Sequence, residues 1–252
     1  NYPGQAIEDR FIDPRIKFID GFKEDPESPK GFGDKVIKKH FDEVDPDVLF
    51  LYNDLSVCVS LLELIQPDCK VVCYLDIVYP WEDLNRFEKL RQRCDYCYTF
   101  LNCWRDHLVN DLGWDSQQVG VLYHGIDREQ FTIIPDAKKQ LNFDEDDFIV
   151  LNMNRNSYRK QWCVTIKAFM KFLKLNNCNP KIKLFCGCMT KTEDGYDLLE
   201  LIKVECMKLE LDYESIVNKH IFINPKPLHA SDEYISRVYN ACDVGMNTCC
   251  GE

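Results

Sequence analysis

Residues 148–160 are Phe148-Ile-Val-Leu-Asn-Met-Asn-Arg-Asn-Ser-Tyr-Arg-Lys160. The first four are apolar, as expected of a short buried strand, and the asparagines that follow favour a loop. After residue 160, apolar residues recur at helical spacing, which predicts an amphipathic helix. The stretch therefore predicts strand, loop and helix, with Arg155, Arg159 and Lys160 in the loop.

The three cations of this loop suit an anionic ligand. In an open α/β sheet, ligands bind at the loops that follow the carboxyl ends of strands. Arginine offers a planar fork that matches two phosphate oxygens, and lysine adds a compact charge. We therefore predict a diphosphate site in this loop. The alternative is a group of solvated surface cations.

The composition is that of a globular protein without a general cationic surface. The chain has 252 residues and is 45% hydrophobic, enough for one large domain or two small ones. Its net charge of −11 argues against nucleic acid or an anionic membrane as a partner, although a small cationic pocket remains compatible with it. No apolar run approaches the ~20 residues of a transmembrane segment, and no signal peptide is visible.

The fourteen cysteines do not form a metal-binding pattern. Many of them lie within apolar runs, where cysteine acts as a small hydrophobic residue. Cys94 and Cys97 have C-x-x-C spacing, but no second pair or histidine pair lies nearby, so reduced structural cysteines are favoured over zinc. We therefore expect no structural zinc, and we expect a cytoplasmic protein.

Strands and helices alternate along the chain. The predicted strands are residues 16–20, 47–52, 70–75, 96–101, 119–123, 148–151, 183–186, 221–223 and 244–247. Intervening helical patterns imply an α/β fold with parallel sheets covered by helices. Residues 126–147 lack periodicity and are acidic near their end. We therefore predict two Rossmann-like domains, residues 1–130 and 131–252, with their sheets facing across a cleft.

Four motifs follow one another within residues 96–252: residues 119–127, Asn154 to Lys160, residues 184–187 and residues 239–244. In this order they resemble the segments V-x-V-I-x-N-G-V-D, G-R-x-x-x-x-K, I-V-G and Y-x-x-A-D-V of one family. That family is the retaining glycosyltransferases of family 4, which have the two-domain glycosyltransferase-B (GT-B) fold. Glu252 falls where the family has the first glutamate of E-x-x-x-x-x-x-x-E. The abundance of cysteine and asparagine also resembles glycosyltransferases of the large algal (chlorella) viruses, which would place the protein in the host cytoplasm.

The chain departs from the family pattern at several positions. Asn154 replaces a glycine, which narrows the backbone freedom of that turn. Asp76 stands where the family has a histidine near the reacting sugar. The first strand, the second glutamate and the end of the second domain are not visible. We therefore expect both domains to be incomplete.

The resemblance implies a nucleotide-sugar donor, GDP-mannose before a UDP-sugar, and a glycan or glycoprotein acceptor. Arg155 and Lys160 would hold the diphosphate and stabilise its charge as the sugar departs, so that no metal is needed. Arg159 would be a solvated neighbour. The oligomeric state is not predicted.

The remaining site residues follow from the same resemblance. Glu252 would contact the donor sugar, or it is a solvated carboxylate at a strand end. Asp76 would orient the donor sugar or the acceptor hydroxyl, or it caps a turn. Gly187 would border the nucleotide. Beside the base would lie the segment Asn224 to Leu228, which includes Lys226; the alternative is a proline-stiffened loop.

Two other functions fit the same architecture. A nucleotide-sugar epimerase would alter the free sugar nucleotide without transferring it. A non-catalytic module would bind nucleotide without turnover. A nicotinamide dehydrogenase is least favoured, because no G-x-G-x-x-G motif follows a strand.

Overall fold

The computed structural model describes residues 13–17, 19–24, 33–79, 83–224 and 230–250. The chain divides into two compact units, Asn1–His124 and Gly125–Glu252. Each unit contains one parallel sheet of four strands. The predicted α/β class with two parallel sheets is therefore confirmed.

The sheet of the first unit has the strand order β1-β2-β3-β4. Its strands are β1 (Val48–Asn53), β2 (Lys70–Leu75), β3 (Tyr96–Thr99) and β4 (Val119–Val121). The helices are α1 (Gly21–Glu24), α2 (Asp34–Val44), α3 (Leu55–Ile65), α4 (Leu84–Arg91) and α5 (Asn102–Asp106), which continues as a π-helical turn, His107–Asp111. Every connection between strands advances in one direction, so right-handed crossovers place α3, α4 and α5 on one face of the sheet. The core lies on the face of Leu51, Cys73 and Cys97.

The sheet of the second unit reverses direction within its strand order, β7-β6-β5-β8. Its strands are β5 (Phe148–Asn152), β6 (Ile182–Cys186), β7 (Ile221–Ile223) and β8 (Val244–Gly245). The helices are α6 (Ala137–Gln140), α7 (Trp162–Leu175), α8 (Leu198–Leu209), α9 (Tyr213–His220) and α10 (Asp232–Ala241). Because the order reverses at β5, the crossovers cover both faces, and the unit has two apolar clusters. The topological switch point lies between β5 and β8.

Helix α7 follows directly from the sequence. Five apolar side chains recur at positions that share one face, and all are at least 98% buried: Trp162, Ile166, Phe169, Met170 and Leu173. They pack against α8 and the inner face of β5 and β6. This packing fixes the start of α7, and with it the loop that precedes the helix.

The strand predicted at residues 16–20 is wrong. Residues 16, 17, 19 and 20 are not in a strand, and Ile16 is 56% exposed. A turn at Pro14 directs the amide of Ile16 to the carbonyl of Asp13, 2.8 Å away. That local hydrogen bond takes the donor that a strand ladder would need.

Helix α9 was not predicted from the sequence. It begins after Asp212, whose carboxylate accepts a hydrogen bond from the amide of Ser215 at 2.7 Å. Ile216 and His220 bury its inner face. The signal was an N-cap aspartate followed by a short amphipathic run.

His220 makes the stability of this unit depend on pH. The ring is 2% exposed, and its Nδ1–H donates to the carbonyl of Ile182 at 2.8 Å. Burial lowers the pKa of this imidazole from its ordinary value of 6.5. The folded protein therefore keeps the ring neutral, while the unfolded chain takes up a proton below that pH.

We expect this residue to leave the free energy of unfolding unchanged above pH 6.5. As the pH falls below that value, it should reduce the free energy of unfolding by up to about 1.4 kcal/mol per pH unit. Urea unfolding at several pH values checks this. Glutamine cannot titrate, so the free energy of unfolding of His220→Gln should depend less on pH between the pKa of this histidine in the folded protein and its pKa in the unfolded chain. An identical pH dependence in both proteins would contradict the assignment.

Candidate functional site

The candidate site lies where the loops after β5 and β8 meet. At a topological switch point, the connections that follow two adjacent parallel strands run to opposite faces of the sheet. A crevice therefore forms at the carboxyl ends of these strands. The amide of Met246 donates to the carbonyl of Leu151 at 2.7 Å, and the amide of Cys250 donates to the carbonyl of Arg159 at 2.9 Å. The side chain of Asn154 donates to Oδ1 of Asn247 at 3.1 Å. The two loops are therefore joined along their length.

Arg155 lies in the β5 loop with its side chain exposed. Its carbonyl accepts hydrogen bonds from Nε1 of Trp162 and from the amide of Ser157, both at 3.1 Å. The guanidinium forms no hydrogen bond or ion pair with the described part of the chain. The backbone at this position is thus fixed by the core, while the cation faces outward and can receive an anion.

Lys160 ends the same loop and is only 7% exposed. It closes a 3-10 turn, Tyr158–Lys160, in which its amide donates to the carbonyl of Ser157 at 3.0 Å. Taking an ammonium group out of water is unfavourable unless other groups compensate it. The loop therefore holds Lys160 in a buried position. This differs from the alternative interpretation, in which the basic residues of the loop are solvated surface cations.

Asn156 fixes the loop after β6 to the β5 loop. Its Nδ2 donates to the carbonyls of Met189 and Tyr196 at 3.1 and 2.7 Å, and its Oδ1 accepts from the amide of Tyr196 at 2.9 Å. The residue is 3% exposed. Gly195 is required beside it, because a Cβ there would lie 2.5 Å from the carbonyl oxygen of Asn156.

Gly187 lets β5 and β6 approach closely at their carboxyl ends. Its amide donates to the carbonyl of Asn152 at 2.8 Å. A Cβ at this position would overlap Sδ of Met153 and lie 3.0 Å from its Cα. The sulfur can move, but the backbone atom cannot move without shifting the loop that carries Arg155.

We expect Gly187→Ala to reduce the free energy of unfolding by about 1–3 kcal/mol, as crowding of a packed region typically does. Thermal unfolding measures the loss. Gly245→Ala is the control, since a Cβ at Gly245 meets nothing within 4 Å. If both variants unfold at the same temperature as the wild type, the close approach at Gly187 does not contribute to stability.

The other predicted site residues are placed only in part. Asn224 follows β7, is 5% exposed, and donates its amide to the carbonyl of Cys186 at 2.9 Å. The structure thus places Arg155, Lys160, Gly187 and Asn224 at one edge of one sheet. Three predicted residues lie outside the described residues: Lys226, Leu228 and Glu252.

Asp76 belongs to the first unit. It follows β2 and is half-buried, and its amide donates to the carbonyl of Asn53 at 3.2 Å. Burial raises the pKa of the Tyr52 and Tyr74 hydroxyls, and the Asp76 carboxylate adds to this effect. The two tyrosine rings stack with their centroids 4.9 Å apart, and Tyr74 also contacts His124. This aromatic group was not predicted from the sequence. It could have been predicted from the two tyrosines, which occupy paired positions of β1 and β2.

Two threonines near this site, Thr165 and Thr248, were not predicted from the sequence. Thr165 is fully buried on α7, and its Oγ1 lies 2.7 Å from Oγ1 of Thr248 in the β8 loop. The available signal was a hydroxyl on the apolar side of α7. A buried polar group needs a partner, but the sequence does not say where that partner lies.

Among the described residues, no group of three or more His, Cys, Asp or Glu is placed to hold a metal ion. Across the same part of the chain, no helix combines the length and apolar character needed to span a membrane.

Comparison with known proteins identifies a fold. No protein-family model and no curated protein sequence matches the chain. Solved structures do match. A glycosyltransferase from Rickettsia africae ESF-5 aligns with a TM-score of 0.58 and 16% identity, over 86% of this chain and 55% of that one. Anabaena Alr3699/HepE in complex with UDP and glucose aligns with a TM-score of 0.58 and 17% identity, over 85% and 56%.

A third match is the E. coli trehalose-6-phosphate protein bound with UDP-2-fluoro glucose. Its TM-score is 0.63 at 12% identity, over 86% of this chain and 56% of that one. The chain therefore spans little more than half the length of these proteins. Identities this low speak for the fold alone. The chain has an α/β fold of two parallel sheets similar to that of the GT-B glycosyltransferases.

Proposed function

We propose that the protein is a glycosyltransferase that moves a sugar from a nucleotide-sugar to a hydroxyl group of a glycan or glycoprotein. The observation that carries this proposal is the loop after β5, where exposed Arg155 and buried Lys160 lie at the switch point of the second sheet. A cationic loop at that edge suits a diphosphate. The similarity in fold to glycosyltransferases supports the same reading.

The two cations would act on the leaving group. When the bond between the sugar and the diphosphate breaks, negative charge grows on the diphosphate. Fixed cations stabilise that charge more than they stabilise the ground state, and one such group is typically worth about 3–4 kcal/mol. Arg155 would bind two oxygens through its planar fork, and Lys160 would add a point charge. In this mechanism no metal ion is required.

The donor is a nucleoside diphosphate sugar. The resemblance to family 4 favours GDP-mannose and a retaining mechanism. The solved structures of similar fold include complexes with UDP, UDP-glucose and UDP-2-fluoro glucose, which supports testing a uridine donor equally. Asp76 of the first unit would orient the acceptor hydroxyl or the donor sugar.

The proposal is tested by incubating the full chain with UDP-glucose and GDP-mannose, with and without a panel of saccharide acceptors. We expect release of UDP or GDP together with a glycosylated product that keeps the anomeric configuration of the donor, as NMR would show. We also expect the rate to be unchanged by a metal chelator, because Arg155 and Lys160 take the place of the ion.

Other outcomes identify the alternatives. An altered free sugar nucleotide without transfer identifies an epimerase. Tight binding of a nucleotide without any turnover identifies a non-catalytic module. Loss of activity on chelation, restored by a divalent cation, contradicts the metal-independent mechanism.

A further inference from the structure

We infer that Asn152, Thr165 and Thr248 form a hydrogen-bonded network that positions the Arg155–Lys160 loop for anion binding. This inference rests on the proposed function and assigns positioning residues to the same site. None of the three is expected to touch the ligand. Their role would be to hold the two ends of the loop at a fixed distance across the switch point.

The network runs from the start of the loop to its end. Nδ2 of Asn152 donates to Oγ1 of Thr165 at 2.8 Å, and Oγ1 of Thr165 lies 2.7 Å from Oγ1 of Thr248. Oγ1 of Thr248 lies 3.0 Å from the carbonyl oxygen of Lys160 and 3.2 Å from that of Gln161. At the other end, Oδ1 of Asn152 accepts from the amide of Asn154 at 3.1 Å.

The direction of each hydrogen bond can be assigned. A threonine hydroxyl has one hydrogen to donate. Because carbonyl oxygens only accept, Thr248 must donate to Lys160 and Gln161. Thr165 must therefore donate to Thr248, and it accepts from the side-chain Nδ2 of Asn152. Every hydrogen points the same way, an arrangement in which neighbouring hydrogen bonds strengthen one another.

The position of the network explains why the loop needs it. Gln161 has a φ of 48°, a left-handed conformation that glycine, asparagine and aspartate adopt readily but that is unfavourable for glutamine. The carbonyls bound by Thr248 belong to this residue and to Lys160, so the network holds the strained turn that sets the direction of the lysine. Asn152 and Thr165 are fully buried, where an unpaired polar group is strongly disfavoured.

The network also joins elements that are distant in sequence. Thr165 lies on α7, Asn152 ends β5, and Thr248 lies in the loop after β8. These are the elements that border the switch point. Movement of the β8 loop would therefore change the conformation of the cationic loop, even though Thr248 is 88 residues away from Lys160 in the sequence.

Thr165→Val tests this inference, because it keeps the shape of the side chain and removes the hydroxyl. In the ligand-free full chain, we expect hydrogen exchange of residues 153–161 to be at least about tenfold faster than in the wild type. We expect the dissociation constant for UDP, measured by calorimetry, to rise by about 10- to 100-fold, as with other residues that orient a binding group. Thr165→Ser, which keeps the hydroxyl, should restore both.

A matched variant separates positioning from general stability. Thr99 is also fully buried, and its Oγ1 donates to the carbonyl of Leu101 at 3.0 Å in the first unit. Thr99→Val should lower stability while leaving UDP affinity unchanged. Thr248→Val, at a half-buried loop position, should reproduce the effect of Thr165→Val. The double variant should be no worse than either single one, because both interrupt one network.

The outcomes are distinguishable. If wild-type protein binds UDP and Thr165→Val binds it equally well with unchanged exchange, the network inference is overturned and the proposed function stands. If wild-type protein binds neither UDP nor GDP at millimolar concentration, the proposed function fails and the ligand-related half of the inference fails with it. Exchange of residues 153–161 still decides whether the network holds the loop.

Discussion

Replacing Arg155 with alanine is expected to reduce turnover with the nucleotide-sugar donor by about 10²- to 10³-fold. Arg155 is exposed, and its guanidinium makes no hydrogen bond or ion pair with the described part of the chain. Its removal should therefore change stability by no more than about 0.5 kcal/mol. A large loss of activity in a normally folded protein would mean that the charge acts on the ligand.

Two further variants sharpen this test. Arg155→Lys keeps the charge but loses the planar fork, so it should recover only part of the activity. Lys171→Ala removes one positive charge from an exposed position on α7, and it should behave as the wild type. Steady-state kinetics at saturating donor measures all three. Wild-type turnover in Arg155→Ala would remove the diphosphate role from this residue.

Replacing Trp162 with alanine is expected to reduce the free energy of unfolding by about 3–5 kcal/mol, the usual effect of truncating a large buried aromatic side chain. Trp162 is fully buried at the start of α7 and belongs to the main apolar cluster of the second unit. Its Nε1 also donates to the carbonyl of Arg155 at 3.1 Å. One side chain thus connects the core to the cationic loop.

Trp162→Phe separates these two roles. It retains most of the apolar contact and loses the hydrogen bond to Arg155, so we expect it to be destabilised by less than the alanine variant. Urea unfolding followed by circular dichroism measures both. Trp104→Ala, at a half-buried position in the first unit, should be destabilised less than Trp162→Ala. A loss below about 1 kcal/mol for Trp162→Ala would contradict the packing described for α7.

Local pattern predicted the elements well where it was strong. Strands β2 (Lys70–Leu75) and β7 (Ile221–Ile223) have the bounds that the sequence predicts, since an apolar run and the turn residues at its ends are local properties. The false strand at residues 16–20 shows the limit of that signal. A short apolar run forms a strand only where a neighbouring strand can pair with it.

The geometry of the site depends on contacts that local sequence does not contain. The position of β8 beside β5 is set by the direction of a crossover, which no single segment encodes. Thr165 and Thr248 are 83 residues apart, yet their hydroxyls are hydrogen-bonded. The burial of Lys160 likewise depends on packing around the turn before α7, so its residue type alone could equally indicate a solvated surface charge.

The most direct test of the central claim is a crystal structure of the protein soaked with UDP. The account predicts the diphosphate in the crevice at the carboxyl ends of β5 and β8, with the Arg155 guanidinium and the Lys160 ammonium each about 3 Å from a phosphate oxygen. A diphosphate bound elsewhere on the chain, with both cations beyond hydrogen-bond reach, would contradict it.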